Sequence, residues 1–307
     1  MSNSKFEKYD PNIQKIGINN INPYINKSMN IGIVGLGLIG GSLGLKLQKL
    51  NHIIYGVTNN ELNEKQSIKR NLANFVSCDY GILKECSLII LALPIKDLIY
   101  PSKELISAIP RESIVTDVGS IKRPIIDKWE TIHPLFIGSH PMVGTEKKGV
   151  DSGFASLLDK ATWVITPTSK TNSNAVNTLC KLITSMQCKI YKTSPKEHDE
   201  AVSLISHLPI FVASSLIETA NREKNKSLLD LTQKLAATGF ADTTRVGGGN
   251  PKLGLDLAIN NQANILNAIK IFKDNINELE TLIKDKNWEL LSEKLSNAMK
   301  LRSDFIN

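Results

Sequence analysis

The sequence predicts an α/β protein: a doubly wound, mostly parallel sheet followed by an all-helical half. From Met29 to about residue 193, short β-branched runs alternate with helical segments, which implies parallel pairing through helical crossovers. A glycine-rich turn joins the first run to the first helix, and beyond about Ser194 the strand signal disappears. With 307 residues, a length near 150 per domain also suggests two domains.

Residues 30–35, Asn-Ile-Gly-Ile-Val-Gly, read as a buried parallel strand, and residues 39–50 follow at helical spacing. Ile53–Val57 reads as the second strand. Residues 88–93 form a third, stopped by Pro94, and residues 113–117 a fourth after the Pro110-Arg111 turn. Further short apolar runs lie at 135–138, 163–166 and 189–191, with a helix over 173–186. Residues 196–221 are apolar almost all round, as a buried helix would be, and Pro209 is expected to kink it. Ser227 is placed to cap a helix that Gly239 ends. Residues 251–284 and 287–306 read as two long helices. The expected layout is an N-terminal arm over 1–28, a dinucleotide-binding domain over 29–193 and a helical domain over 194–307.

Composition narrows the function. The chain is 41% hydrophobic and 22% charged, which excludes collagen-like and mainly disordered classes. Its net charge of +7 is spread without a run of five or six basic residues. A nucleic-acid partner is therefore not expected, while a small anionic substrate fits. No uninterrupted apolar stretch approaches the roughly 20 residues that cross a bilayer, so no membrane partner is expected. The first 28 residues lack an apolar h-region and read as a loose arm, with Met29 an alternative start. Cys78, Cys86, Cys180 and Cys188 are single and widely spaced, which suggests buried thiols in a reducing, cytoplasmic compartment and no metal site.

Gly35-Leu36-Gly37-Leu38-Ile39-Gly40 is a G-x-G-x-x-G motif between a strand and a helix, the signature of a Rossmann-type domain. Gly35 permits the tight turn, Gly37 lets the backbone approach a pyrophosphate, and Gly40 lets the helix pack closely on the strand. Amides at the helix start then face the phosphates. At the end of the second strand stand Thr58 and Asn59, with no acid until Glu61. An acid there would bond the ribose 2′-hydroxyl and repel a 2′-phosphate, so NADP is the favoured cofactor, with NAD possible.

Ser120 ends the fourth strand and His140 follows the fifth, so both belong to the carboxyl edge of the sheet, where ligands bind. A neutral imidazole there can take the proton of an alcohol as its carbon loses hydride. His198 and Asp199 open the first helix of the second half, and His207 precedes Pro209. Arg245, before Gly247-Gly248-Gly249, is a candidate fork for a substrate carboxylate.

Taken together, GLGLIGGSL (35–43), ALP (92–94), TDVGSIK (116–122), GSHPMVGTE (138–146), EHD (197–199), SHLP (206–209) and GFADTTRVGGGNP (239–251) resemble the prephenate/arogenate dehydrogenase family of tyrosine biosynthesis, its cyanobacterial and plant-type arogenate members above all. The resemblance runs from Met29 to near the end of the chain. It implies hydride transfer from a cyclohexadienol ring carbon to the nicotinamide, loss of the ring carboxylate as CO2, and aromatisation. It casts His140 as the catalytic histidine, Ser120 as its assistant, Arg245 as a carboxylate binder and His207 as a substrate-pocket residue. Thr145, Glu146, His198 and Asp199 match pocket or interdomain positions, and Leu93 and Pro94 fall among the cofactor contacts. It also implies a homodimer through the helical half. A β-hydroxyacid dehydrogenase would instead place a catalytic lysine after the Rossmann domain, where this chain has His198 and His207. A non-catalytic dinucleotide sensor would lack a proton acceptor such as His140.

Overall fold

The computed structural model describes residues 28–145 and 147–306, so the expected arm, apart from Ser28, and Glu146 lie outside the described residues. Eight short strands form one sheet: β1 (Asn30–Val34), β2 (Ile53–Val57), β3 (Phe75–Ser77), β4 (Leu88–Leu91), β5 (Ile114–Asp117), β6 (Phe136–Pro141), β7 (Thr162–Thr166) and β8 (Lys189–Lys192). Their order is β3-β2-β1-β4-β5-β6-β7-β8. Among the described residues only β6 and β7 pair antiparallel. The sheet is thus mostly parallel and doubly wound, as the sequence predicts. Strand β3 is the one the sequence analysis does not single out. It has three residues, and at this edge Phe75 is exposed and stacks on Tyr55.

The crossovers are α1 (Leu38–Gln48), α2 (Glu61–Lys69), α3 (Ile95–Ile99), α4 (Lys103–Ala108), α5 (Arg123–Trp129) and α6 (Ser173–Ser185). Because side chains alternate across a strand, Ile31 and Ile33 of β1 face one layer and Val34 the other. The first layer packs Leu43, Leu47, Leu179 and Ile183 from α1 and α6. The second packs Leu98, Ile125 and Trp129 from α3 and α5. Trp129 fixes the strand that carries His140: its ring stacks on Phe136 of β6 at 5.5 Å, and its Nε1 donates to the Leu98 carbonyl at 2.7 Å.

Only helices follow: α7 (Pro195–Val202), α8 (Leu208–Asn221), α9 (Lys226–Leu235), α10 (Thr238–Thr244), α11 (Pro251–Asn260), α12 (Gln262–Lys284) and α13 (Trp288–Phe305). Ser194 and Glu197 start α7 with a reciprocal capping box, and Pro195 occupies its first turn. Four expectations change here. The 196–221 helix is interrupted by a π turn at Ser203–His207, and Pro209 sits in the first turn of α8, directly after it. Most of α8 is not buried within the chain; only Ala213 is. Asn225, not Ser227, caps α9, and Gly239 lies inside α10 rather than ending a helix. The 251–284 segment breaks at Asn261, whose side chain turns inward.

Replacing Trp129 with Phe keeps the stack but leaves the buried Leu98 carbonyl without its donor. It is expected to lower stability by about 1–3 kcal/mol, measured as a shift of the urea unfolding midpoint at unchanged slope.

Candidate active site

The phosphate turn has the shape its glycines suggest. Gly35 adopts φ +95°, and a Cβ there would lie 2.4 Å from the Ala92 carbonyl oxygen. A Cβ on Gly40 would lie 1.8 Å from the Gly35 carbonyl oxygen, so the strand and α1 touch backbone to backbone. Around Gly37 a Cβ would meet nothing within 4 Å, and no side chain caps α1 there. Open space against the uncapped amides of Leu38, Ile39 and Gly40 fits a pyrophosphate. Leu36 is buried in the core beneath this turn. Leu93 and Pro94 follow β4 on the same edge, with the Leu93 side chain against Gly35.

At the end of β2, Thr58 is buried, and its hydroxyl lies 3.6 Å from the thiol of Cys78. Cys78 in turn donates to the Glu64 carboxylate at 3.1 Å, which pushes its pKa up. Helix α2 therefore brings a carboxylate near Thr58 that strand-end spacing does not reveal. Asn59 accepts from Asn60 and Asn63 through its oxygen, which leaves its NH2 for a ligand. Cys78 is exposed and Cys180 half-buried, so only Cys86 and Cys188 are the buried thiols expected. Burial raises their pKa values to about 12 and about 11.

His140 is buried and lies within β6, next to its last residue, rather than in a loop after the strand as expected, because the strand runs on to Pro141 in pairing with β7. Its Nδ1 lies 2.9 Å from Nε2 of His198, and His198 Nδ1 lies 2.8 Å from Oδ1 of Asp199. The Asp199 carboxylate also accepts from the backbone amides of Lys122 at 2.7 Å and Arg123 at 2.8 Å. It can only accept, so His198 carries its proton on Nδ1 and offers the lone pair of Nε2. His140 must then donate from Nδ1, and its Nε2 is the acceptor a general base requires.

A second charged pair lies beneath. The buried Lys122 ammonium donates to the Asp117 carboxylate and to the Ser139 carbonyl at 2.6 Å. Asp117 also accepts from the amides of Gly119 and Ser139. Burial pushes the Asp117 carboxyl up and the Lys122 ammonium down, each opposed by the other charge. His207 is fully buried, with its pKa lowered to about 4 by burial. Burial also holds His140 well below the ordinary imidazole value, helped by His198, Lys122 and His207. Burial lowers His198 too, although Asp199 opposes it.

The structure thus gathers His140, His198, Asp199 and His207, with the Ser120 backbone against the His207 ring. Thr145 stands half-buried in the loop after β6. Arg245 is exposed at the end of α10, and no hydrogen bond or ion pair among the described residues joins it to the imidazoles. Asp117, Lys122, Ser139 and Asn261 escape the sequence reading. Asp117 and Lys122 stand within the quoted TDVGSIK run, but nothing in their spacing shows that they pair.

A glycine turn open to a pyrophosphate and a buried, weakly basic imidazole at one carboxyl edge of the sheet fit an NAD(P)-dependent oxidoreductase. Residues 42–192 match the prephenate dehydrogenase nucleotide-binding domain, and residues 194–299 the prephenate dehydrogenase dimerization domain. The chain belongs to the prephenate dehydrogenase family, which acts in tyrosine biosynthesis. It is 32% identical over 267 residues to the prephenate dehydrogenase of Bacillus subtilis strain 168, covering 84% of this chain and 71% of that one. It is 35% identical to the solved arogenate dehydrogenase of Synechocystis, with a TM-score of 0.77 over 91% of this chain and all of that one. The prephenate dehydrogenase of A. aeolicus, solved with hydroxyphenyl propionate and NAD+, is 27% identical, with a TM-score of 0.84 over 91% and 99% of the two chains. By length and composition Pro195–Asn221 could cross a membrane. It holds the buried His198, Asp199 and His207 and falls in the dimerization-domain match.

Burial lowers the pKa of all five histidines, so in the pH interval below 6.5 the unfolded chain binds more protons than the folded one. Stability is therefore expected to fall as pH drops from 7 to 5. Thermal unfolding across that range should show it, and the fall should be shallower in His140→Asn.

Proposed function

We propose that this protein oxidises arogenate with NADP, yielding tyrosine, CO2 and NADPH. The observation that carries this reading is the acceptor nitrogen of His140 at the carboxyl edge of the sheet, the edge on which the phosphate turn also stands. The bound nicotinamide supplies the hydride acceptor. His140 Nε2 takes the proton of the ring hydroxyl as the carbon beneath it becomes a carbonyl, and the ring carboxylate leaves as CO2. Aromatisation supplies much of the driving force, so the protein's work is positioning and one proton transfer. The Asp199–His198 pair holds His140 in the accepting tautomer, and Ser120 belongs to the same edge. Neutrality suits this base, because an imidazolium could take no proton.

Arogenate is supported by the 35% identity to the Synechocystis enzyme, and NADP by the uncharged Thr58-Asn59 strand end. Prephenate with NAD is the second reading. It is favoured by the B. subtilis and A. aeolicus relatives and by the Glu64 carboxylate near Thr58. Arg245 is assigned the substrate carboxylate, with Thr145 and Glu146 in the same pocket. Gly247 seats the turn after Arg245 on α8, where a Cβ would lie 2.5 Å from the Ser214 amide. That point is about 10 Å along the helix from His207. A homodimer through the helical half is supported by α9, which buries none of its residues and exposes Leu228, Leu231 and Leu235. A cytoplasmic setting is part of the same reading, supported by the free thiols.

Initial rates with arogenate and prephenate, each with both cofactors, test substrate and cofactor together. The highest kcat/KM is expected for arogenate with NADP; a higher value for prephenate or for NAD overturns that part. In the same assay His140→Asn should lose about two to four orders of magnitude in kcat with cofactor binding kept. Near-normal turnover would remove His140 from the chemistry. Arg245→Ala should mainly raise KM, by about 2–4 kcal/mol of lost binding, and an unchanged KM would take Arg245 out of the pocket.

A further inference from the structure

We propose that Asn261 is a positioning residue that locks His207 as the Nε2–H tautomer, presenting a neutral donor within the buried histidine cluster that holds His140. Asn261 stands at the break between α11 and α12. It is buried there, and its Nδ2 donates to the Asp199 backbone carbonyl at 2.9 Å. A carbonyl oxygen can only accept, which fixes the amide orientation, and Asn264 donates to the Asn261 oxygen at 2.8 Å in agreement. The second hydrogen of the same NH2 meets Nδ1 of His207 at 3.2 Å. An amide NH2 has no lone pair to offer a ring nitrogen, so Nδ1 of His207 is the acceptor and its proton sits on Nε2.

That Nε2 is fully buried and has no hydrogen-bond partner among the described residues. The Ser120 backbone lies against the ring, without completing a bond of good geometry to Nε2. A buried donor without a partner is costly and calls for a ligand atom. On the reaction proposed above, that atom is an oxygen of the departing carboxylate. A formal positive charge would stabilise the carboxylate against loss of CO2, whereas a neutral N–H orients it with far less bias. Asp199 thus serves both rings: its side chain makes His140 an acceptor through His198, and its backbone oxygen makes His207 a donor through Asn261.

This inference rests on the proposed reaction for the identity of the oxygen, but the tautomer can be read without turnover. Two-bond 1H–15N spectra of the full chain labelled with 15N-histidine, assigned with a His207→Gln variant, are expected to show His207 protonated on Nε2 alone. An Nδ1–H pattern in the wild type overturns the proposal, whatever the enzyme turns over. In Asn261→Asp the new carboxylate accepts from Nδ1, so the His207 proton should move to Nδ1 or the ring should become doubly protonated. Its kcat should fall about 10- to 100-fold at unchanged cofactor Kd. Wild-type kcat in a folded Asn261→Asp protein also overturns the proposal. If that variant fails to fold, the wild-type spectrum alone decides. Loss of arogenate turnover with the Nε2–H pattern intact would count against the proposed reaction and for the lock.

Discussion

The carboxylate of Asp199 is the joint on which the candidate site depends. It reaches from α7 to the start of α5 and accepts the amides of Lys122 and Arg123, so a residue of the helical half caps a helix of the Rossmann half. Helix α5 has no side-chain cap of its own, and a negative charge at a helix start is favoured by the dipole. The same oxygen that takes the Lys122 amide takes the His198 ring proton. Proper seating of the two halves and the protonation pattern of His140 are therefore one structural fact, and damage to either damages both.

Beneath that joint, Asp117 and Lys122 supply a buried charge pair at considerable desolvation cost. The cost is tolerable because the remaining polar atoms are occupied: Asp117 by the amides of Gly119 and Ser139, Lys122 by the Ser139 carbonyl. Such a pair contributes little net stability, but it holds both backbone polar groups of Ser139, the residue before His140, and sets a cation nearby that disfavours an imidazolium. The low basicity of His140 thus comes first from loss of water and then from His198, Lys122 and His207, so both halves of the chain contribute to it.

The Rossmann half was legible because its signals are local. Ile31, Ile33, Ile89 and Leu91 lie in short apolar runs, and Gly35, Gly37 and Gly40 mark a turn whose geometry admits few alternatives. Helix ends in the second half were less legible, since Asn225 and Ser227 are both competent caps and only tertiary packing chooses between them. The break at Asn261 was invisible because its cause is a contact with Asp199, 62 residues away. His140, His198 and His207 could be picked out one by one as histidines near loops. Their order of protonation could not, because it follows from partners that spacing does not pair. Arg245 is the reverse case: it is prominent in sequence yet exposed within the single chain.

The π turn at Ser203–His207 has a geometric consequence for the two halves of this constellation. His198 and His207 are nine positions apart, and at about 100° per residue an uninterrupted α-helix would set them on opposite sides. A π turn winds more slowly, by roughly 18° per residue, so five such residues swing His207 about a quarter revolution back toward His198. The phase of the helix here acts as a spacer between two imidazoles. Rewinding the same five residues as α-helix would undo that rotation and carry the second ring away from His198, with every side chain in the site still present.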